Sequence, residues 1–392
     1  MRIRTAKSNL LEAVQTASRA VSTRSTLPIL SGILLRTPHV SEGQGDKLFL
    51  CSTDLEISIK CEVDVTVQSP GSIVIPARLL TDIIRNLPEA TIEMHLDSSN
   101  QLNITCGKSK FLIRILSPED FPRFPEIIPK DDFTIEPGIL LNVIRQVIKG
   151  VSRDETRPVL TGVLVNIKGN RLKMVATDGY RLAVRVAETG SSYESDDTEN
   201  RENDVLNAII PARTLDELTK IISSHQDEIS EVGIKATENQ IIFNSNVSTK
   251  AATDRKITLI SRLIEGQFPN YQQLLPEGYE LRLEIERDQF INALRRVSLL
   301  AQNNPVKLKI DDEQMKISAM TYDVGEAMEE IEVKNSGGGM EIAFNPQFLL
   351  DGLVSVGEEK VAFEMTSPIK PALLKPSGPE NFLYLIMPVR LS

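Results

Sequence analysis

The chain has 392 residues, 41% of them apolar, and sets 44 basic against 54 acidic side chains for a net charge of −10. That length exceeds what one hydrophobic core usually organises, so roughly two to four domains are expected. No stretch approaches the ~20 uninterrupted apolar residues of a membrane-spanning helix, the opening MRIRTAKSNLLEAV lacks the apolar core of a signal peptide, and the acidic total excludes a uniformly basic nucleic-acid binder.

In chain order, Leu10, Leu11, Val14, Ala17 and Val21 fall at the spacing of an amphipathic helix, predicted over Lys7 to Arg24 with Ser8 able to cap it. LFLCSTDLEISIKCEV, from Leu48, reads as two strands around a Thr53-Asp54 turn, where Asp satisfies nearby backbone N–H groups. PARLLTDIIRNL places Pro76 in a helix's first turn, where proline is tolerated best. TIEMHL, QLNITC and KFLIRIL then alternate or run apolar between Asp-Ser-Ser-Asn and Cys-Gly-Lys turns, as strands do. The pattern strand, helix, three strands therefore occurs twice before the Phe121-Pro122 step. Cys51, Cys61 and Cys106 fall on strands with no C-x-x-C, which fits buried thiols in a reducing cytoplasm.

The pattern repeats. LLEAVQTASRAVSTRSTLPIL (Leu10 to Leu30) lies over LLNVIRQVIKGVSRDETRPVL (Leu140 to Leu160) without a gap, Thr53-Asp54 over Thr177-Asp178, and IVIPARLLTDII over AIIPARTLDELTKII. A more divergent third copy keeps the order: FINALRRVSLLAQNNPVKLKI, MKISAMTYDVGEAMEEIEV, then IAFNPQFLLDGLVSV. Phe121-Pro122, Phe268-Pro269 and Met387-Pro388 mark equivalent ends. The expected architecture is α+β in three repeated domains, 1–125, 126–276 and 277–392, each with two helices packed on antiparallel sheet. One segment breaks the period: ETGSSYESDDTENREND, about 188–204, is an acidic loop insertion.

Charge is sorted by element. The six predicted helices carry +7 between them, leaving −17 on the rest of the chain. Such sorting suggests helices facing a polyanion and an acidic exterior that repels it elsewhere. Arg19, Arg24, Arg145, Lys149, Arg153, Arg295 and Arg296 are the candidates. With few aromatics beside them and no base-reading motif, sequence-independent phosphate contact is the implied mode. Catalytic patterns are missing: there is no G-x-x-x-x-G-K, G-x-S-x-G, H-E-x-x-H or G-x-G-x-x-G, and His39, His95 and His225 are scattered.

The threefold repeat, with TLPIL, ATDGYRLAV, GQFPNYQQLLP and MPVRL, closely resembles the bacterial DNA polymerase III beta subunit, the replication sliding clamp, over the whole chain and in order. The resemblance implies three clamp domains and a head-to-tail homodimer closed into a six-domain ring, helices inside and sheets outside. Duplex DNA passes through it without sequence preference. It also implies a non-catalytic processivity factor of the cytoplasm, with no cofactor, metal or membrane. Its partners would be the DNA polymerase III alpha subunit, the clamp loader, and other polymerases and repair proteins that dock through a short peptide.

Carried over residue by residue, the peptide pocket would comprise Thr177, Gly179, Tyr180, Arg181 and Leu182, then Pro269, Gln273 and Leu274. Phe348, Pro371, Leu385, Met387, Pro388, Val389, Arg390 and Leu391 would complete it. The dimer edge would set Lys108, Lys110, Phe111 and Ile113 against Leu299, Leu300, Glu329, Glu330 and Glu332. Gln273 stands where many members have a basic residue, Val389 where methionine is common, and Ser392 follows the terminal leucine. A repeat-built interaction scaffold that does not encircle DNA also fits the repeats and the acidic total, but it leaves the basic helices unexplained.

Overall fold

The computed structural model describes residues 1–22, 26–38, 46–124, 133–189, 204–248, 254–302, 304–379 and 381–390. The first copy runs β1 (Arg2–Ala6), α1 (Lys7–Ala17), β2 (Gly32–Thr37), β3 (Lys47–Thr53), β4 (Ile57–Asp64), β5 (Thr66–Ser69), β6 (Gly71–Pro76), α2 (Ala77–Asn86), β7 (Thr91–Leu96), β8 (Gln101–Cys106) and β9 (Ser109–Arg114). The second runs β10 (Phe133–Ile135), α3 (Pro137–Val147), β11 (Gly162–Lys168), β12 (Arg171–Thr177), β13 (Arg181–Glu188), β14 (Asp204–Pro211), α4 (Ala212–Ser224), β15 (Ile229–Ala236), β16 (Gln240–Ser248) and β17 (Asp254–Arg262). The third runs β18 (Leu281–Glu286), α5 (Arg287–Ala301), β19 (Val306–Ile310), β20 (Gln314–Thr321), β21 (Gly325–Glu332), β22 (Lys334–Asn335), β23 (Met340–Phe344), α6 (Pro346–Ser355), β24 (Lys360–Met365), β25 (Ala372–Pro376) and β26 (Phe382–Ile386). Strand, helix, three strands recurs six times, with β5 and β22 as the additions.

The chain divides into two compact units, 1–138 with 216–263, and 139–215 with 264–392. The division falls inside the middle copy because that copy contributes a half-sheet to each unit. In the first unit an eight-stranded sheet has the order β10-β15-β16-β17-β4-β3-β2-β6, so β4 of copy one pairs with β17 of copy two, Ile57 opposite Ser261 and Glu62 opposite Lys256. A five-stranded sheet, β5-β1-β7-β8-β9, ends at β9. In the second unit a nine-stranded sheet has the order β14-β11-β12-β13-β26-β25-β24-β18-β22, with β13 of copy two beside β26 of copy three. A four-stranded sheet, β21-β20-β19-β23, begins at β21.

Alternation along these strands builds the cores. Leu48, Leu50, Ile59, Ile73 and Ile75 are fully or almost fully buried in the first unit. In the second unit Phe363 lies between Phe290 and Phe344, with ring centroids 6.3 and 5.7 Å apart at tilted angles that suit aromatic quadrupoles. All three cysteines are buried and free, and burial pushes the Cys51 thiol up to about 12.

Two expectations change in detail. Ser8 does not cap α1: β1 runs straight into the helix, Ala6 holds the cap position, and no side chain serves as cap. The first helices of copies one and two end earlier than predicted, at Ala17 and Val147, each tightening into a 3-10 turn, Ser18–Ala20 and Ile148–Gly150. Ser18 Oγ donates back to the Val14 carbonyl at 2.6 Å. Gly150 sits where a Cβ would lie 3.0 Å from the Ala176 carbonyl oxygen, a close approach to β12 that glycine suits. Arg19 and Lys149 therefore ride on these turns, and Arg153 follows in the next loop. Arg24, Leu391 and residues 190–203 of the acidic insertion lie outside the described residues. Emptying the aromatic layer should be costly: Phe363→Ala is expected to lower unfolding free energy by about 3–5 kcal/mol, read as a shift of the urea midpoint.

Candidate functional site

The TDGYRL turn joins β12 to β13 and is held by its own side chains. Thr177 Oγ1 donates to the Arg181 carbonyl at 2.6 Å and accepts the Gly179 N–H at 3.1 Å. Asp178 Oδ1 accepts the N–H groups of Tyr180 and Arg181 at 2.9 and 3.0 Å. Gly179 has φ +91°, a left-handed conformation that favours glycine. Thr53 and Asp54 make the same bonds in copy one, with Leu55 at φ +79° in the glycine's place. Both Thr-Asp pairs are thus turn-formers, as the sequence suggested.

Strand pairing brings the pocket candidates together within the second unit. Leu182 lies opposite Leu385 and Arg181 opposite Ile386, and the ladder continues beyond β26 through Met387 N–H to the Tyr180 carbonyl at 2.8 Å. Leu182 and Leu385 form the floor, buried with Val175, Val184, Tyr271 and Leu373, while Phe268 and Leu275 of the FPNYQQLL segment pack against them. Above that floor Tyr180 (66% exposed), Leu274, Met387 and Val389 present apolar surface. Pro269, Gln273 and Arg390 are also exposed, and Pro371 and Pro388 half-buried. Phe348 on α6 stacks with Tyr180, ring centroids 6.5 Å apart.

Arg181 is the polar centre of this surface. Its Nε donates to Asp178 Oδ2 at 2.9 Å, its Nη1 to Asp351 Oδ2 at 2.5 Å and to the Tyr384 hydroxyl at 3.3 Å. The guanidinium lies 4.3 Å from the centroid of the Phe348 ring. Burial opposes its charge, but Tyr384, Asp351 and Asp178 more than offset this, so the guanidinium is held firmly protonated. Burial raises the Tyr384 phenol, and the neutral hydroxyl donates to the Phe348 carbonyl at 3.0 Å. Gly352 leaves room for that ring, since a Cβ there would come within 2.5 Å of it.

Three contributors escaped the sequence reading. Asp351 and Tyr384 meet Arg181 only through the tertiary fold, although Asp351 stands out as the single charge on α6. Ile369, 70% exposed, lines a cleft of about 380 Å³ with Ala343, Pro368, Val389 and Arg390. An isoleucine between Pro368 and Pro371 was the available signal.

The basic candidates separate. Arg145, Arg153 and Arg295 are exposed. Arg19 lies 3.5 Å from Glu217. Burial lowers the Lys149 ammonium below the usual lysine range, Asp351 opposing and the nearby Arg181 and Arg295 charges adding to the shift. Arg296 is engaged instead by Glu329, Nε to Oε1 at 2.6 Å and Nη2 to Oε2 at 2.9 Å. One polyanion candidate and one edge candidate thus neutralise each other.

On the edges, Phe111 and Ile113 lie opposite Ile104 and Leu102, on the core side of β9, while Lys110, Leu112 and Arg114 point to the other face. On β21 Glu329 and Ile331 share the side that faces α5, whereas Glu330 and Glu332 share the opposite one with Met328. Leu299 is 79% exposed and Leu300 half-buried. Leu79 on α2 adds exposed apolar surface that the sequence reading omitted.

Models of the DNA polymerase III beta subunit match almost the whole chain: its N-terminal domain over 1–125, its central domain over 134–270 and its C-terminal domain over 272–390. The chain belongs to the DNA polymerase III beta subunit family. A beta sliding clamp of Staphylococcus aureus is 35% identical over 384 residues, 95% of this chain and 94% of that one. Among solved structures, the DNA polymerase sliding clamp of Bacillus subtilis superposes with a TM-score of 0.88 at 31% identity, and a sliding clamp of Pseudomonas aeruginosa bound to griselimycin with 0.86 at 30%, each covering 100% of both chains. As a beta subunit the protein is a DNA sliding clamp, a processivity factor rather than an enzyme. No helix among the described residues is long and apolar enough to cross a membrane.

Proposed function

We propose that two copies of this chain close head to tail into a ring around duplex DNA, and that the surface around Arg181 and Met387 docks short peptides of the proteins the ring tethers. The observation that carries the ring is the repeated junction. The third strand after each copy's first helix is β4, β13 or β21, and the third after each second helix is β9, β17 or β26. β4 pairs with β17 and β13 with β26, always one copy with the next. β21 and β9 are the equivalent strands left at sheet edges. Long free edges template further pairing, and a heterologous contact that returns to its start closes a ring.

The faces of the two edges complement each other. Phe111 and Ile113 meet Leu299 and Leu300 on the helix side, with Leu79 extending the apolar contact. Lys110 and Lys108 meet Glu330 and Glu332 on the outer side, while Glu329 stays with Arg296. Domain boundaries near 125/126 and 276/277 keep each such strand within its own copy.

Arg19, Arg145, Lys149, Arg153 and Arg295 face the DNA in this reading. Their contacts with phosphates are screened by salt and carry no sequence information, so the ring holds DNA by topology and slides. The pocket suits an extended peptide with leucine and aromatic anchors, because Tyr180, Leu274, Met387, Val389 and Ile369 offer apolar surface near the Arg181 guanidinium. The griselimycin-bound relative supports a ligand site on this fold. DNA polymerase III alpha, the clamp loader, and other polymerases and repair proteins are the proposed users.

The ring is tested by loading the protein on nicked circular duplex with a clamp loader and then linearising the DNA. Retention on circles and loss from cut DNA is expected; equal retention on both favours the scaffold. The variant with both Lys108→Glu and Lys110→Glu should sediment as monomer and fail to be retained at all. Met387→Ala should weaken binding of a labelled peptide bearing leucine and phenylalanine anchors about tenfold while leaving the dimer intact, measured by fluorescence anisotropy.

A further inference from the structure

The pocket surface contains one buried cation held from several directions, and its geometry leaves one part of that cation unused. Nε of Arg181 is taken by Asp178 and both Nη1 hydrogens by Asp351 and Tyr384. Nη2 has no acceptor among the described residues, although a guanidinium offers five donors in a rigid plane. The plane itself is fixed by stacking on Phe348. Two N–H donors of a protonated, preorganised group thus remain beside the exposed apolar side chains of Tyr180 and Met387.

Resting on the pocket reading above, we propose that Asp351 is a positioning residue for peptide recognition: it locks Arg181 so that Nη2 presents its donors to a main-chain carbonyl of the docked peptide. A backbone carbonyl is the acceptor that every extended peptide carries, whatever its side chains. One fixed, charge-assisted donor in an apolar cleft therefore sets strand direction and register while the leucine and aromatic anchors supply area. Asp351 is suited to the task by its own restraint. Its Oδ1 accepts from Gln347 Nε2 at 2.9 Å, four residues away on α6, and Oδ2 accepts from Arg181. The same helix carries Phe348, so α6 supplies both the carboxylate and the stacking face.

Asp178 also holds Arg181, but it accepts two backbone N–H groups of the turn, and its removal would disturb the loop as well. Asp351 touches side chains only, apart from its own helical backbone, which makes it the cleaner probe. Lys149 senses the same carboxylate from the turn that follows α3, and that turn packs against β13 and α6.

The test is a double-mutant cycle on the full-length dimer, read by fluorescence anisotropy with a labelled peptide carrying leucine and phenylalanine anchors. Asp351→Asn should weaken binding about five- to tenfold, Asp351→Glu should retain most of the affinity, and Arg181→Ala should weaken it at least as much as Asp351→Asn. In the Arg181→Ala background, Asp351→Asn should have no further effect, a coupling that a merely structural role for Asp351 would not produce. Tyr384→Phe, which removes the hydroxyl that accepts from Nη1 and donates to the Phe348 carbonyl, should weaken binding two- to threefold and likewise lose its effect without Arg181; it serves if Asp351→Asn does not fold. Unchanged affinity in Asp351→Asn, or losses that multiply in the double variant, would overturn the positioning role. If Met387→Ala also leaves affinity unchanged, the pocket reading itself is wrong; if Met387→Ala weakens binding and Asp351→Asn does not, only the role of Asp351 is.

Discussion

Backbone hydrogen-bonding capacity at strand edges is the constraint on which this structure depends. Each copy makes two half-sheets, and a half-sheet ending in a long strand leaves a row of N–H and C=O groups that must be paired, covered or exposed to water. The chain satisfies four of its six such strands internally, β4 with β17 and β13 with β26, and the pairing follows one rule from copy to copy. The two remaining strands, β9 and β21, carry what an interface needs: apolar residues on the helix side and opposite charges on the outer face. In the proposed ring, a sequence that repeats three times specifies a closed assembly without a dedicated oligomerisation element.

The same junction that joins copies two and three also makes the candidate pocket. β13 and β26 meet edge to edge, and where their ladder ends the chain turns away on both sides, at Gly179 and at Pro388. That divergence exposes Tyr180 and Met387 above a buried floor of Leu182 and Leu385. In copy one the corresponding ladder ends in the same way, with Arg262 N–H bonded to the Glu56 carbonyl at 3.0 Å, but a strained leucine replaces the glycine and an isoleucine, Ile57, replaces Arg181. Identical backbone logic gives different surfaces, so the candidate pocket at one junction rests on a handful of side chains rather than on the fold.

Much of this was legible in the sequence because the signals are local. Turn chemistry at Thr53-Asp54 and Thr177-Asp178, helical spacing of apolar residues, and period-two strands depend on neighbours within a few positions, and all reappear in the structure. What escaped depends on contacts distant in sequence. The helix ending at Val147 stops where Gly150 meets the Ala176 backbone, 26 residues on. Arg296, a candidate DNA contact, and Glu329, a candidate edge residue, are brought against each other only by the fold. Asp351 and Tyr384 converge on Arg181 from 170 and 203 residues away, a separation at which no periodicity operates. Net charge by segment survives folding, whereas individual ion pairs are decided by it.

Amide hydrogen exchange, followed strand by strand across a dilution series, tests the edge-pairing claim most directly. At concentrations that favour the dimer, amides of β9 and β21 should be protected as well as those of β4 and β17, and dilution should release β9 and β21 together while leaving the internal junctions protected. Exchange of β9 and β21 at the rate of solvent-exposed edges, whatever the concentration, would contradict it.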